Sequence, residues 1–257
     1  MPQAWKKPIL VRVWHIGLGD KAHAWNVFTH YIWPGSNIAY FIDGYAQVRP
    51  NALIRIEEGL NSAASAWGAT GVPTTGRGAE SMRLNMIRNG GIHGNLYAIR
   101  GHVMMGLRKL GFRLPLGLYR TDPVLGAAIS FGLDPSNNDW DPTRILVVPE
   151  ATWSVRPLSP WQIKDLTSHW KRSVRQATGR FENSAVREHM AVHRKAPQDL
   201  PEIARDLILS WIGIHPSRAA WLTLKHPLCL LAAIQARKCR DWSQRNRPPE
   251  LVAAISL

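Results

Sequence analysis

An apolar run that ends in an acid does most to limit how this chain can fold. Residues 37–43 read NIAYFID and predict a buried strand that carries Asp43 at its carboxyl end. A helix is predicted to begin at Pro50, because apolar residues then recur at spacings of three and four as far as Trp67. Residues 8–16, PILVRVWHI, predict an earlier strand that leads through a glycine turn into a short helix. Strand, helix, strand, helix is the α/β pattern, in which ligands bind beyond the carboxyl ends of parallel strands.

The middle of the chain continues this pattern with interruptions. Glycine-rich residues 70–101 predict loops that let a ligand approach the backbone closely. Residues 145–155, ILVVPEATWSV, predict another strand, and Pro160 is predicted to begin another helix. Residues 176–200 predict a polar, basic link to a helical C-terminal region.

The C-terminal region contains a strongly apolar stretch with two interpretations. Residues 219–236 read AAWLTLKHPLCLLAAIQA, and Pro227 is expected to break or kink the helix that they form. One interpretation is a core helix that covers the sheet. The other is a peripheral segment on an anionic membrane leaflet, because cationic residues accompany the stretch. These cations are Lys225, Arg237, Lys238 and Arg240.

The charge of the chain favours anionic partners. Lys and Arg total 32 against 18 Asp and Glu, a formal charge of +14. No helix-turn-helix, zinc or RNA-recognition signature accompanies this charge, so nucleic acid is not expected as a partner. The two cysteines, Cys229 and Cys239, are expected to be reduced thiols on one helix, which favours a cytoplasmic location. No signal peptide and no transmembrane helix are predicted.

Two neighbouring segments carry a resemblance to a known family. Residues 19–26 read GDKAHAWN, and residues 41–53 read FIDGYAQVRPNAL. They resemble the centre of the family 2 glycosyltransferases, in which a Gly-Lys-x-x-Ala-x-Asn-like segment precedes a strand that ends in Asp-x-Asp. A Pro-x-Ala-Leu helix start follows in that family, as Pro50, Ala52 and Leu53 do here.

The resemblance implies a donor site at these residues. Lys21 and Asn26 would lie at a nucleotide-sugar donor, and Asp43 would bind Mg²⁺ or Mn²⁺, or else a ribose hydroxyl. Such a cation neutralises the donor pyrophosphate and prefers carboxylate oxygens as ligands. The second acid of the Asp-x-Asp pattern is Tyr45 here, which weakens the expectation of a metal. Without the resemblance, Asp43 would be interpreted as a turn acid and Lys21 as a solvated surface lysine.

A third segment resembles a glycine-containing strand that related enzymes place near the sugar and the acceptor. Residues 90–101 read GGIHGNLYAIRG. The resemblance implies that His93 and Arg100 belong to the acceptor or phosphate region. The competing interpretations are a packed loop histidine and a structural ion-pair partner.

A fourth segment resembles the one that carries the catalytic base. Residues 114–135 read LPLGLYRTDPVLGAAISFGLDP, and Thr121-Asp122 stands where the family commonly has Glu-Asp. The resemblance implies that Asp122 takes the proton of the acceptor hydroxyl during inverting sugar transfer. Asp122 could also N-cap the following helix, with Pro123 at its first position.

A fifth segment corresponds to the basic and aromatic stretch found late in many family members. Residues 168–183 read SHWKRSVRQATGRFEN. Trp170, Arg172 and Arg175 are thereby expected to face a leaving diphosphate or an acidic acceptor, since Arg suits phosphate geometry. A solvated basic helix face is the alternative.

The resemblance thus implies a GT-A-like α/β fold, a mixed sheet flanked by helices. Residues 1–185 are expected to form this domain, which is incomplete at its N-terminus, where the family carries strands that bind uracil and ribose. Residues 186–257 are expected to form a helical C-terminal extension. The implied function is transfer of a sugar from a nucleotide-sugar donor to a glycan or lipid-linked acceptor. The alternative is a degenerate, non-catalytic relative that acts as a binding or interaction protein.

Overall fold

The computed structural model describes residues 9–76, 78–156 and 163–256, with the side chains of the last range described from residue 167 onward. Pro160, the predicted start of a helix, lies outside these ranges. The strands in the described residues are β1 (Leu10–His15), β2 (Ile38–Ile42), β3 (Ala46–Val48), β4 (Gly68–Pro73), β5 (Leu96–Arg100), β6 (Ile145–Val155) and β7 (Glu250–Ser256). The α-helices are α1 (Lys21–Val27), α2 (Ala52–Ser62), α3 (Ala79–Asn89), α4 (Gly101–Lys109), α5 (Thr121–Ser130), α6 (Ile163–Arg187), α7 (Ala204–Ile214), α8 (Pro216–Lys225) and α9 (Leu228–Ala236).

Five of these strands form a mixed sheet in the order β2-β5-β4-β6-β3. Only β4 and β6 pair in parallel, and the other neighbours are antiparallel. The α/β class with a mixed sheet flanked by helices, as the sequence predicts, is therefore confirmed. The pairing of β2 with β5 sets Ile42 opposite Leu96, so the residue after β2 lies beside the loop that enters β5.

The sheet separates two apolar clusters. On one side α2 buries Ile56 and Leu60 together with Val148 and Trp153 of β6. The larger cluster joins α1, α4 and α5 to β5 and continues into α6, where Phe181 is buried. Because α6 belongs to this larger cluster, its position is fixed against the same core that holds the sheet.

The prediction of loops over residues 70–101 is wrong. This range contains most of β4, together with α3 and β5, and every residue of β4 is buried. A Cβ at Gly68 would lie 2.9 Å from the carbonyl oxygen of Ala98, and one at Gly71 would collide with the carbonyl of Ala151. These glycines therefore allow neighbouring strands to lie close together, and they do not form a turn.

The predicted link over residues 176–200 is also largely helical. The helix α6 runs to Arg187 and continues as a π-helical segment, Glu188–Val192. Residues with buried side chains recur along α6 at helical spacing, while most of its charges occupy the exposed face. They are Val174, Ala177, Phe181, Glu182, Ala185 and Val186. The domain boundary predicted after residue 185 falls inside this helix.

The C-terminal helices pack on α6 rather than on the sheet. The apolar stretch breaks at Pro227 as predicted, since α8 ends at Lys225 and α9 begins at Leu228. The last strand, β7, pairs antiparallel with β1 in a separate two-stranded ribbon that joins Leu10 to Ser256. No helix in the described ranges is long and apolar enough to cross a bilayer.

Candidate functional site

The carboxyl end of β2 is where the sequence-predicted residues meet. Asp43 directly follows β2, and its backbone N–H donates to the carbonyl oxygen of Asn95 at 3.4 Å. This contact holds Asp43 beside the 93–95 loop that enters β5. The first residue of α1, Lys21, and the first turn of α5, with Asp122, approach the same point. The chain thereby brings together two acids, a lysine and a histidine from four separate segments.

Asp43 is engaged by two donors. The Nζ atom of Lys21 lies 2.9 Å from Oδ1 and 3.2 Å from Oδ2 of Asp43. The hydroxyl of Tyr45 donates to Oδ2 at 3.0 Å. The Asp43 side chain is 17% exposed and that of Lys21 is 49% exposed, so the ammonium extends from a sheltered carboxylate toward solvent. Burial of the hydroxyl and the neighbouring Asp43 charge raise the pKa of Tyr45 to about 12, which keeps Tyr45 a neutral donor.

Asp122 and Lys21 converge above Gly94. A Cβ at Gly94 would lie 3.2 Å from the Lys21 Nζ and 3.6 Å from the Asp122 Oδ1, so glycine keeps this space open. Within the described residues the Asp122 carboxylate takes part in no hydrogen bond or ion pair. The N-cap of α5 is Arg120, and Asp122 lies inside the first turn, so the interpretation of Asp122 as the N-cap is wrong. Its carboxylate therefore borders the space above Gly94 without a partner from the described part of the chain.

His93 lines the same space from the loop before β5. Its Nδ1 accepts the backbone N–H of Asn95 at 3.3 Å, so the neutral ring carries its proton on Nε2. The centre of the His93 ring lies 4.7 Å from the centre of the Trp153 ring. The backbone N–H of His93 donates to Thr70 Oγ1 at 3.1 Å. Burial lowers the pKa of His93, although the Asp122 and Asp43 carboxylates act in the opposite direction. A neutral imidazole with an Nε2–H donor is the form this environment favours.

Glu182 of α6 fixes the approach to α5. Its fully buried carboxylate accepts the backbone N–H of Tyr119 at 2.9 Å and that of Arg120 at 3.0 Å. Burial raises the pKa of Glu182 to about 7 even though both hydrogen bonds favour the ionised form. The Arg120 side chain crosses α6 at Gly179. A Cβ on Gly179 would lie 2.8 Å from the Cγ of Arg120.

The sequence analysis missed Glu182, although a signal was present. Glu182 is an acid in an otherwise basic segment and follows the buried Phe181. Its place beside the apolar face of α6 predicts burial, and a buried carboxylate requires donors.

The α6 residues border the site with positive charge. The guanidinium of Arg175 lies 5.6 Å from the centre of the Tyr119 ring. Arg172 is close enough to Tyr45 for its charge to oppose the rise in the pKa of that phenol. Trp170 is 56% exposed on the same helix. Arg172 thus adds cationic charge near Tyr45, the residue that donates to Asp43, while Arg175 lies over the Tyr119 ring.

Two of the predicted site residues form hydrogen bonds to backbone groups away from the site instead. The Asn26 side chain is buried and bridges the backbone of Leu114, donating to its carbonyl at 2.9 Å and accepting from its N–H at 2.8 Å. The Arg100 guanidinium donates to carbonyl oxygens at and beyond the C-terminal end of α2, including Ala66 at 2.6 Å and Ala63 at 3.2 Å. These two side chains stabilise loops and a helix end, and neither joins the cluster at Asp43.

The donor set does not fit a divalent cation well. In the part of the chain that the structure describes, no group of three or more His, Cys, Asp or Glu side chains is arranged to hold a metal ion. Both oxygens of Asp43 are occupied by Lys21 and Tyr45, so a cation bound there would have to displace an ammonium. Mg²⁺ and Mn²⁺ favour several oxygen ligands, and here a lysine already supplies the positive charge.

Comparisons of this chain with protein-family models and with curated proteins found no match. The fold and the site therefore define the class by themselves. It is a mixed α/β protein with a lysine-neutralised aspartate, an aspartate that has no partner among the described residues, and a neutral histidine, all gathered at one end of its sheet.

Proposed function

We propose that this chain is a GT-A-like glycosyltransferase, related to family 2, that moves a sugar from a nucleotide-sugar donor to a hydroxyl of a glycan or lipid-linked acceptor. The observation that carries the proposal is the convergence of Asp122 and Lys21 above Gly94. A carboxylate without a partner in the described residues and an ammonium then face one open space. Sugar transfer needs these two groups on either side of the reacting carbon: a base for the acceptor and a positive charge for the leaving diphosphate.

The chemistry assigns one role to each group. The acceptor oxygen attacks the anomeric carbon while Asp122 removes its proton, and the bond from that carbon to the diphosphate oxygen breaks. The configuration at the anomeric carbon is inverted because attack and departure occur on opposite faces. Lys21 stabilises the negative charge that develops on the diphosphate, with Arg172 and Arg175 nearby, and Asp43 orients Lys21.

His93 fits a supporting role in this reaction. Its neutral ring carries a proton on Nε2, beside the space between the two aspartates. A neutral N–H donor can hold a sugar hydroxyl by a hydrogen bond without taking its proton.

The alternative function is a non-catalytic relative that binds a glycan or a partner protein. Tyr45, in place of the second acid of the Asp-x-Asp pattern, favours this alternative. Retention of nucleotide-sugar binding without transfer to any acceptor would support it over the enzyme.

Replacing Lys21 is expected to weaken binding of the diphosphate. The Lys21→Ala variant should bind UDP or GDP at least about tenfold more weakly, since a charge-assisted hydrogen bond contributes on the order of 1.5–3 kcal/mol. Calorimetry with UDP, GDP and their sugar conjugates, in EDTA and again with Mn²⁺, would measure this. Because Lys21 already neutralises Asp43, we expect Mn²⁺ to change the affinity of the wild type by less than about threefold.

Lys109→Ala provides a matched control for this measurement. Lys109 is an exposed lysine in the last turn of α4, which follows the opposite end of β5. Its replacement should leave the affinity unchanged. Absence of any nucleotide binding by the wild type would contradict the proposed function, whereas binding that strictly requires Mn²⁺ would contradict only the role given to Lys21.

A further inference from the structure

The two C-terminal helices α8 and α9 expose large apolar side chains. Five such residues on this part of the chain are at least half exposed. They are Ile214 (67%), Trp221 (60%), Leu224 (82%), Leu230 (58%) and Ile234 (50%). We call this set, together with Lys225, Arg237 and Lys238, the basic–apolar face. Several large apolar side chains exposed on neighbouring helices are typical of a site of contact with a protein or a membrane.

Helices normally bury their large apolar side chains, whereas α8 and α9 bury small side chains and expose large apolar ones. The inner faces carry small residues, since Ala219 of α8 and Cys229 and Ala232 of α9 are buried. The larger residues, Leu230 and Ile234, point outward from a helix that reads LCLLAAIQA and has no charged residue. A helix that is apolar on all sides normally lies in a core or in lipid. Packing on α6 and α7 therefore uses only part of the apolar surface of α9.

The charged side chains of this stretch of the sequence have one sign. Residues 215–240 contain no Asp or Glu. Arg218 pairs with Glu188, and Arg240 pairs with Asp20. In contrast, Lys225, Arg237 and Lys238 form no ion pair with any acid of the described residues. Unpaired cations beside exposed leucines complement a surface that offers both anionic groups and hydrocarbon.

The arrangement of Trp221 and Lys225 favours the boundary of a bilayer. The Lys225 Nζ lies 5.0 Å from the centre of the Trp221 ring. Trp is enriched at the boundary between headgroups and acyl chains, and Lys reaches from there to the phosphates. The helices have 10 and 9 residues, too few to span the hydrocarbon core, so they would lie in the plane of the interface.

We propose that the basic–apolar face docks this protein on an anionic lipid surface. Trp221, Leu224, Leu230 and Ile234 enter the headgroup boundary, and Lys225, Arg237 and Lys238 contact lipid phosphates. This inference is independent of the sugar-transfer chemistry, because it depends on exposure and charge at a different part of the molecule.

Sedimentation of the full chain with vesicles tests the proposal. Binding to vesicles that contain phosphatidylglycerol and phosphatidylcholine should exceed binding to phosphatidylcholine alone by at least about tenfold, and should fall as salt rises. The double variant Leu224→Ser/Leu230→Ser should bind the anionic vesicles at least about tenfold more weakly, because insertion of each leucine removes apolar area from water. Lys225→Glu/Lys238→Glu should bind more weakly and with a reduced dependence on salt.

Leu84→Ser is the matched control. Leu84 is 55% exposed on α3, outside the basic–apolar face, and its replacement should leave vesicle binding unchanged. Far-UV circular dichroism should show the same helix content in every variant. Equal binding to neutral and anionic vesicles, or unchanged binding of the Leu224→Ser/Leu230→Ser variant, would overturn the proposal. So would a wild-type dimer that does not bind vesicles and that the same double variant dissociates, because a second copy would then cover this face.

Discussion

The Asp122→Asn variant is expected to lose sugar transfer by a factor of at least about 100 while it keeps its affinity for the nucleotide. A general base contributes roughly 10²- to 10⁴-fold to the rate of a reaction, and the amide of asparagine cannot accept the proton of the acceptor hydroxyl. Asparagine has nearly the shape of aspartate, so the space above Gly94 should stay open. The measurement is release of the nucleoside diphosphate in the presence of acceptors, together with calorimetry of nucleotide binding.

Asp206→Asn is the control for this variant. Asp206 also lies in the first turn of a helix, α7, but it is exposed and outside the site. Its replacement should leave transfer unchanged. Full transfer activity in Asp122→Asn would remove Asp122 from the mechanism, and loss of nucleotide affinity in the same variant would assign it to donor binding instead.

Replacing Glu182 is expected to have the largest effect on stability. At pH 4.5, where the contribution of Glu182 is fully present, the Glu182→Ala variant should lower the free energy of unfolding by about 3 kcal/mol or more. It leaves the backbone N–H groups of Tyr119 and Arg120 without partners, at roughly 1–3 kcal/mol each, and it opens a cavity between α5 and α6. Chemical denaturation measures the difference. Glu57→Ala, at an exposed position on α2, should change stability by less than about 0.5 kcal/mol.

The same residue predicts a dependence of stability on pH. The folded state raises the pKa of Glu182 from 4.5 to about 7, so between these values the folded state binds more protons than the unfolded state. The contribution of Glu182 to stability is therefore fully present below pH 4.5 and falls by about 3 kcal/mol as pH rises to 7. Glutamine cannot ionise, so the stability of the wild type relative to that of Glu182→Gln should fall over this range. A difference that is constant from pH 4.5 to 7.5 would contradict the raised pKa.

The family resemblance implies much of the candidate site, and local patterns place two of its residues at the ends of predicted elements. A strand that ends in Asp43 and a glycine turn before Lys21 are visible as local patterns, and the structure brings both residues together with His93 and Asp122. Asn26 and Arg100 carry no such local signal for their observed roles. Their partners are backbone groups of residues 114 and 60–66, and only the folded chain decides which carbonyls need a donor.

The errors in the fold have a related cause. Glycine is typical of turns, and a single sequence does not show that another strand will approach Gly68 and Gly71 too closely for a side chain. The pairing of β1 with β7 also cannot be predicted from the sequence. The two strands are far apart along the chain, so their pairing depends on how the residues between them fold. The sequence predicts only part of the length of α6, because the charges of this helix obscure the periodic buried positions on its inner face.

The pairing of β1 with β7 affects how the protein folds during its synthesis on the ribosome. The strand at Leu10–His15 leaves the exit tunnel before its partner at Glu250–Ser256, which is added only after the residues between them. At about 5–20 residues per second, the nascent β1 waits on the order of ten seconds or more with its hydrogen-bonding edge bare. Its exposed Leu10 and Val13 make that edge attractive to other nascent chains on the same message. A chaperone that holds β1 until β7 has been synthesised would therefore protect this protein more than one that acts later.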